Sequence, residues 1–158
     1  VAISRKFGDI LDFTENIIVQ SVNHQGVMGG GLAKQIVTKY PIINNENSVY
    51  QIMCRGMYFE DIKMHGFVSW YTIQENKFIA SIFGQDGYGR DRQYTDYVAL
   101  GNGLDSVRLF AKEKQASIAI PFMMGCGLGG GDWSVVFNII ENCFKYSPEI
   151  SVFIYELL

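Results

Sequence analysis

The sequence predicts a layered α/β fold around a sheet of mixed direction, and three observations predict it. Short β-branched apolar runs alternate along the chain with segments whose apolar residues recur at helical spacing. Two of these runs pass into a helical segment through a glycine cluster, "GVMGGGLAKQ" at 26–35 and "GCGLGGGDW" at 125–133. One pair of runs, "HGFVSWYTI" and "KFIASIF", is separated only by "QEN", the spacing of an antiparallel pair.

The elements follow in order. "NIIVQSV" (16–22) reads as a buried strand, and "LAKQIVTKY" as a helix with Leu32, Ile36 and Tyr40 on one stripe, ended by Pro41. "NSVYQIM" (47–53) is a second short helix, followed by the strand pair around 74–76. From Thr95 to Lys112, Tyr97, Leu100, Leu104, Val107 and Ala111 keep helical period, although Gly101 and Gly103 interrupt it. "SIAIPFM" (117–123) is a strand, "SVVFNIIENCFKY" a helix and "ISVFIYEL" the closing strand. With no repeat, linker or low-complexity tract, residues 1–158 read as one domain.

Composition narrows the function classes. At 158 residues and 48% hydrophobic content the chain is long and apolar enough for a sizeable core. A net charge of −3 argues against general nucleic-acid binding, which favours a basic surface. No apolar run approaches the roughly 20 residues of a membrane span, and "VAISRKFGDI" lacks the apolar stretch of a signal peptide. Cys54, Cys126 and Cys143 are odd in number and lack metal-ligand spacing, which points to reduced thiols and a cytoplasmic setting. No metal site and no cofactor are implied.

Five glycines within residues 125–131 cost backbone entropy, so something close to that backbone needs the room. A glycine loop between strand and helix presents unpaired N–H groups and the positive end of the helix dipole, which suits a phosphate. Two such corners on one parallel part of a sheet are expected to bring two helix N-termini to one edge and grip a diphosphate from two sides. "GCGLGG" also satisfies the dinucleotide pattern G-x-G-x-x-G. Only 28 residues follow Gly130, too few for the further strand–helix units of a dinucleotide fold, and Glu149 precedes the last strand instead of ending it. No Gly-Lys-Ser/Thr is present for a nucleotide P-loop.

"GDI" (8–10), "VNHQGVMGGGLAKQ" (22–35) and "IPFMMGCGLGGGDW" (120–133) together resemble the macro domain family, over nearly the whole chain. The resemblance is closest to the branch with terminal ADP-ribose glycohydrolases, DNA ADP-ribose hydrolases and ADP-ribose-1″-phosphate phosphatases, which share "MG-x-G-[IL]-A" and "GCGL". It implies a three-layer α/β/α sandwich with a mixed, mostly parallel sheet, and ADP-ribose or an ADP-ribosylated substrate as the partner, with no membrane involved. Carried over by motif, Asp9 accepts from the adenine amine with Ile10 beside it, and Asn23 holds hydroxyls of the distal ribose. Gly29, Gly30, Gly31 and Leu32 border that ribose and the diphosphate, and Gly125, Cys126, Gly127, Leu128, Gly129 and Gly130 wrap the diphosphate. In the loop "FGQDGYGRDRQYTDY" (83–97), Tyr94 or Tyr88 is placed to stack on adenine or cover the ribose, and Arg90 and Arg92 read as solvated.

Chemistry is less well marked. The glycohydrolase branch uses a Lys in the helix after the first glycine loop and an Asp after "GCGL", positions that hold Val37 and Gly129 here. Lys34 and Lys39 are out of register, since three residues turn a helical side chain about 300°. The remaining catalytic candidates are Asn23, His24 and Asp132. His24 suits proton transfer near neutral pH, whereas Asp132 stands where a helix N-cap is expected. Cys126 reads as a small space-filling residue. The sequence thus supports ADP-ribose binding with hydrolysis of an ADP-ribosyl derivative, either ADP-ribose-1″-phosphate or an ADP-ribosylated macromolecule. The alternatives are a non-catalytic reader module and, disfavoured by topology, another dinucleotide enzyme.

Overall fold

The structure is a computed structural model that describes residues 3–60 and 66–157. Six strands form one sheet in the order β1-β6-β5-β2-β4-β3. They are β1 (Ile3–Phe7), β2 (Ile17–Asn23), β3 (Val68–Gln74), β4 (Lys77–Gln85), β5 (Ile118–Pro121) and β6 (Val152–Glu156). The helices are α1 (Gly31–Lys39), α2 (Val49–Glu60), α3 (Tyr97–Lys114) and α4 (Trp133–Phe144). Every strand pairing is parallel except β3 with β4, the antiparallel pair expected around 74–76.

Alternate residues of the buried strands supply two separate cores, as the two-residue period of a strand dictates. Ile17 and Val19 of β2 pack with Leu100, Leu104 and Val107 of α3 and Val136 and Ile140 of α4. Ile18 and Val22 face the other way, onto Ile36 of α1 and Tyr50, Cys54 and Met57 of α2. The sheet is therefore the middle of three layers.

Three boundaries differ from the sequence reading. β1 has no counterpart in it, because an edge strand carrying Ser4, Arg5 and Lys6 shows no apolar run. α2 continues past residue 53 to Glu60, and β5 stops at Pro121 instead of running to residue 123. His65, placed at the start of the third strand run, lies outside the described residues. Gly103, an apparent interruption of α3, is a packing requirement: a Cβ there would stand 2.2 Å from Cγ2 of Ile82.

The topology leaves a crevice at one place. From β2 the chain enters α1 on one face of the sheet, and from the adjacent parallel β5 it leads to α4 on the opposite face. Two neighbouring strands whose connections diverge in this way open a cleft at their carboxyl ends, where α/β sheets bind ligands. Among the described residues, no helix is long and apolar enough to cross a membrane.

Candidate functional site

A cavity of about 460 Å³ occupies that crevice. Its floor and wall come from β2 (Gln20 to Asn23), its sides from the start of α1 (Gly29 to Ala33) and from residues 121–125 and 127–129 after β5. Gln85 and Tyr88 close the remaining side. Both glycine loops thus meet at one cavity.

The two loops present donors in different ways. In α1 the first helical hydrogen bond is donated by Lys34 N to Gly30 O (3.2 Å), which leaves the amides of Gly31, Leu32 and Ala33 without helical acceptors. In the second loop the amides of Gly127, Leu128 and Gly129 have no acceptor among the described residues, whereas Cys126, Gly130 and Gly131 donate to Met123, Gly127 and Gly125. Two groups of amides without backbone acceptors therefore line one space, and such amide clusters suit a phosphate.

Of the two expected helix N-termini, the start of α1 lines the cavity and the start of α4 does not. At the start of α4, the Asp132 carboxylate accepts from Ser134 N (2.8 Å) and from Ser134 Oγ (2.7 Å), so that helix end is already capped. These hydrogen bonds hold the Asp132 carboxyl below the usual range. The second donor group is the glycine loop itself.

The reason for so many glycines is also mostly internal. A Cβ on Gly129 would stand 2.4 Å from Thr95 Oγ1 and 2.7 Å from Gly125 O, and one on Gly131 would stand 2.8 Å from Gly125 O. Gly125 adopts φ 76°, and its carbonyl accepts from Thr95 Oγ1 at 2.6 Å. Thr95 N and Tyr94 N in turn donate to Gly129 O. Of the glycines in this loop, Gly127 alone opens on empty space, with nothing within 4 Å of a Cβ and no positive φ. The loop is folded on the 94–95 segment, and the room at Gly127 remains.

The other predicted site residues divide. Asn23, Gly29, Gly30, Gly31, Leu32, Gly125, Gly127, Leu128 and Gly129 line the cavity. Asp9, Ile10, Tyr94, Cys126, Gly130, His24 and Asp132 are not among its lining residues. Asp9 sits at the end of β1, where its Oδ1 accepts from Leu11 N (2.9 Å), and Ile10 is buried in the α1/α2 core. Tyr94 donates its hydroxyl to Asp91 and lies under the Arg92 guanidinium, 4.1 Å from the ring centroid. Its place on the cavity wall is taken by Tyr88. Burial pushes the Cys126 thiol up to about 11, so it is no thiolate near neutral pH.

Asn23 and His24 are both engaged. Asn23 Nδ2 donates to Val27 O (2.8 Å), and its Oδ1 lies within reach of Gln25 N (3.1 Å), Val27 N (3.4 Å) and the Tyr50 hydroxyl (3.1 Å). The side chain holds the 23–27 turn together. His24 Nε2 lies 2.9 Å from Asp86 Oδ1, which ties the end of β2 to the loop after β4. Gln20, Ser21, Gln85 and Phe122 also line the cavity and were missed. A glutamine inside an otherwise apolar buried strand was the available signal.

No family model matches the sequence. The DNA ADP-ribosyl glycohydrolase of Mycobacterium tuberculosis is 29% identical over 148 residues, covering 94% of this chain and 40% of its own length. The macrodomain of Mycobacterium tuberculosis DarG superimposes with a TM-score of 0.76 at 27% identity, over 97% of this chain and 96% of that one. This chain has the macro domain fold. A Streptomyces coelicolor macrodomain protein agrees, with a TM-score of 0.77, 25% identity and 98% of each chain covered. The three-layer architecture is that of a macro domain. The chain spans about two fifths of the length of the curated glycohydrolase it matches.

Proposed function

We propose that this macro domain binds ADP-ribose in the cavity and hydrolyses the bond between an ADP-ribosyl group and its carrier, with ADP-ribosylated DNA as the first substrate to test. The observation that carries the reading is the convergence of two amide groups, at Gly31–Ala33 and at Gly127–Gly129, on one cavity. A diphosphate seated there places adenosine toward Asp9 and the distal ribose toward β2 and Asn23. The DNA ADP-ribosyl glycohydrolase relatives support a glycosidic bond to DNA as the target.

In that reaction the bond from C1″ to the carrier breaks, water supplies a hydroxyl to C1″, and a proton goes to the leaving group. Backbone amides hold the diphosphate, and Asn23 fixes the turn that borders the ribose. His24 does not line the cavity itself, but it follows the cavity-lining Asn23 and is held by Asp86, which makes it the candidate for proton transfer at the cavity's edge. Asp132 stays with its helix.

A second reading, a binding module without turnover, is favoured by Val37 and Gly129 standing where the resembled branch has its Lys and Asp. One assay separates the two. ADP-ribosylated DNA, ADP-ribosylated protein and ADP-ribose-1″-phosphate are each incubated with the protein, and released ADP-ribose is measured beside ADP-ribose affinity. Turnover of the DNA substrate supports the glycohydrolase reading, and binding without turnover of any substrate leaves the module.

A further inference from the structure

The amides of Gly127, Leu128 and Gly129 lie between two pinned carbonyls, and one short segment supplies most of the pins. Gly125 O accepts from Thr95 Oγ1 at 2.6 Å and from Gly131 N at 2.9 Å. Gly129 O accepts from Tyr94 N at 2.7 Å and from Thr95 N at 2.9 Å. A carbonyl oxygen has two lone pairs, so both oxygens are fully engaged. Just past the loop, Asp132 N donates to the Tyr97 hydroxyl at 3.0 Å.

The segment is itself fixed to the sheet. Thr95 bridges to Gln85 at the end of β4 in an antiparallel pairing. Asp86 N donates to Tyr94 O and Asp96 N to Gly84 O, each at 2.8 Å. The glycine loop comes from β5 and rests on a segment tied to β4, with β2 between those two strands. Of the contacts that hold the two carbonyls, the Thr95 hydroxyl alone comes from a side chain, and Thr95 is 4% exposed. The hydroxyl is not required as a cap for α3, because Asp96 is the N-cap and accepts from Ala99 N.

We propose that Thr95 is a positioning residue for the diphosphate, an assignment that rests on the reading of the cavity as a diphosphate site. Thr95 does not line the cavity. It acts through Gly125 O, holding the loop in the shape that leaves the amides of Gly127 to Gly129 open before a ligand arrives. A loop that had to be ordered on binding would lose that cost from the affinity. The effect belongs to ligands that carry phosphate, because the loop offers nothing else to the bare nucleoside.

The test titrates ADP and adenosine into wild type, Thr95→Val and Thr95→Ser, with thermal melts of all three proteins. Valine keeps the branched shape without the hydroxyl, and serine keeps the hydroxyl without the methyl group. The expected result is a loss of about fivefold or more in ADP affinity for Thr95→Val, with adenosine affinity unchanged and ADP affinity restored in Thr95→Ser. Unchanged ADP affinity in Thr95→Val, an equal loss for both ligands, or a Thr95→Ser protein as weak as Thr95→Val overturns the assignment. Should Thr95→Val fail to melt cooperatively, Thr95→Ala takes its place against Thr95→Ser, with the same outcomes. Wild type that binds ADP no more tightly than adenosine removes the diphosphate reading of the cavity and the assignment with it. Wild type that prefers ADP while the valine substitution changes nothing removes the Thr95 assignment alone.

Discussion

Gly30 and Leu128 touch, so the two glycine loops are in contact beside the cavity they both line: a Cβ on Gly30 would stand 2.6 Å from Leu128 Cδ1. Gly30 is the N-cap of α1 at φ −148°, an extended conformation that any residue adopts. Its lack of a side chain serves the contact alone. Gly30→Ala should therefore stay within about 0.5 kcal/mol of wild-type stability, because the tip of Leu128 can move. It should weaken ADP-ribose severalfold by pushing the loops apart. Equal dissociation constants for the two proteins would show that the loops do not act as one clamp.

Gly129 and Gly127 are predicted to fail differently. Gly129→Ala forces a methyl group against Thr95 Oγ1 and the Gly125 carbonyl, and overpacking of that kind costs about 1–3 kcal/mol. Gly127→Ala meets nothing and should melt like wild type. Urea midpoints of the two variants decide it, and equal midpoints contradict the internal role assigned to Gly129.

Much of this was legible in the sequence, and what was not has identifiable causes. β2, β5 and β6 are buried in parallel pairings and show as apolar runs, whereas β1 lies at the edge and carries Ser4, Arg5 and Lys6 in succession. The Asp132 cap was readable because it depends on neighbours in sequence. The need for glycine at 129 and 131 was not, because the crowding atoms come from Thr95 and from the fold of the loop on itself. The same holds for Tyr94 and Tyr88, whose separation into loop anchor and cavity wall depends on how the 83–97 loop closes.

His24 and Asp132 should separate in a turnover assay. His24→Ala removes the proposed proton carrier, a role worth about 10²–10⁴-fold in rate, with ADP-ribose affinity little changed. Asp132→Asn should keep most activity, since asparagine caps a helix about as well. An inactive Asp132→Asn beside an active His24→Ala would reverse the two roles.

Away from the cavity, Glu15 is buried between Lys6 Nζ and the Tyr155 hydroxyl, each at 2.5 Å. Burial alone would raise its pKa, but these hydrogen bonds outweigh burial and hold it below 4.5. Its contribution to stability is therefore complete above pH 4.5 and is lost as pH falls through the lower, folded value. Glu15→Gln should cost toward the lower end of about 1.5–3 kcal/mol at neutral pH, because Lys6 is partly exposed and screened. The gap from wild type should close in acid. A gap that is constant from neutral pH into acid would contradict the ionised pairing.

The diphosphate of ADP-ribose is proposed to sit against the open backbone at Gly127, and calorimetric titration of ADP-ribose into wild type and Gly127→Val is the measurement that decides it. A branched side chain there meets no protein atom within 4 Å of its Cβ, and the position has no positive φ to strain. The variant should therefore fold and melt as wild type does. It should bind ADP-ribose at least about tenfold more weakly, about 1.4 kcal/mol. A folded Gly127→Val protein with wild-type affinity would contradict it.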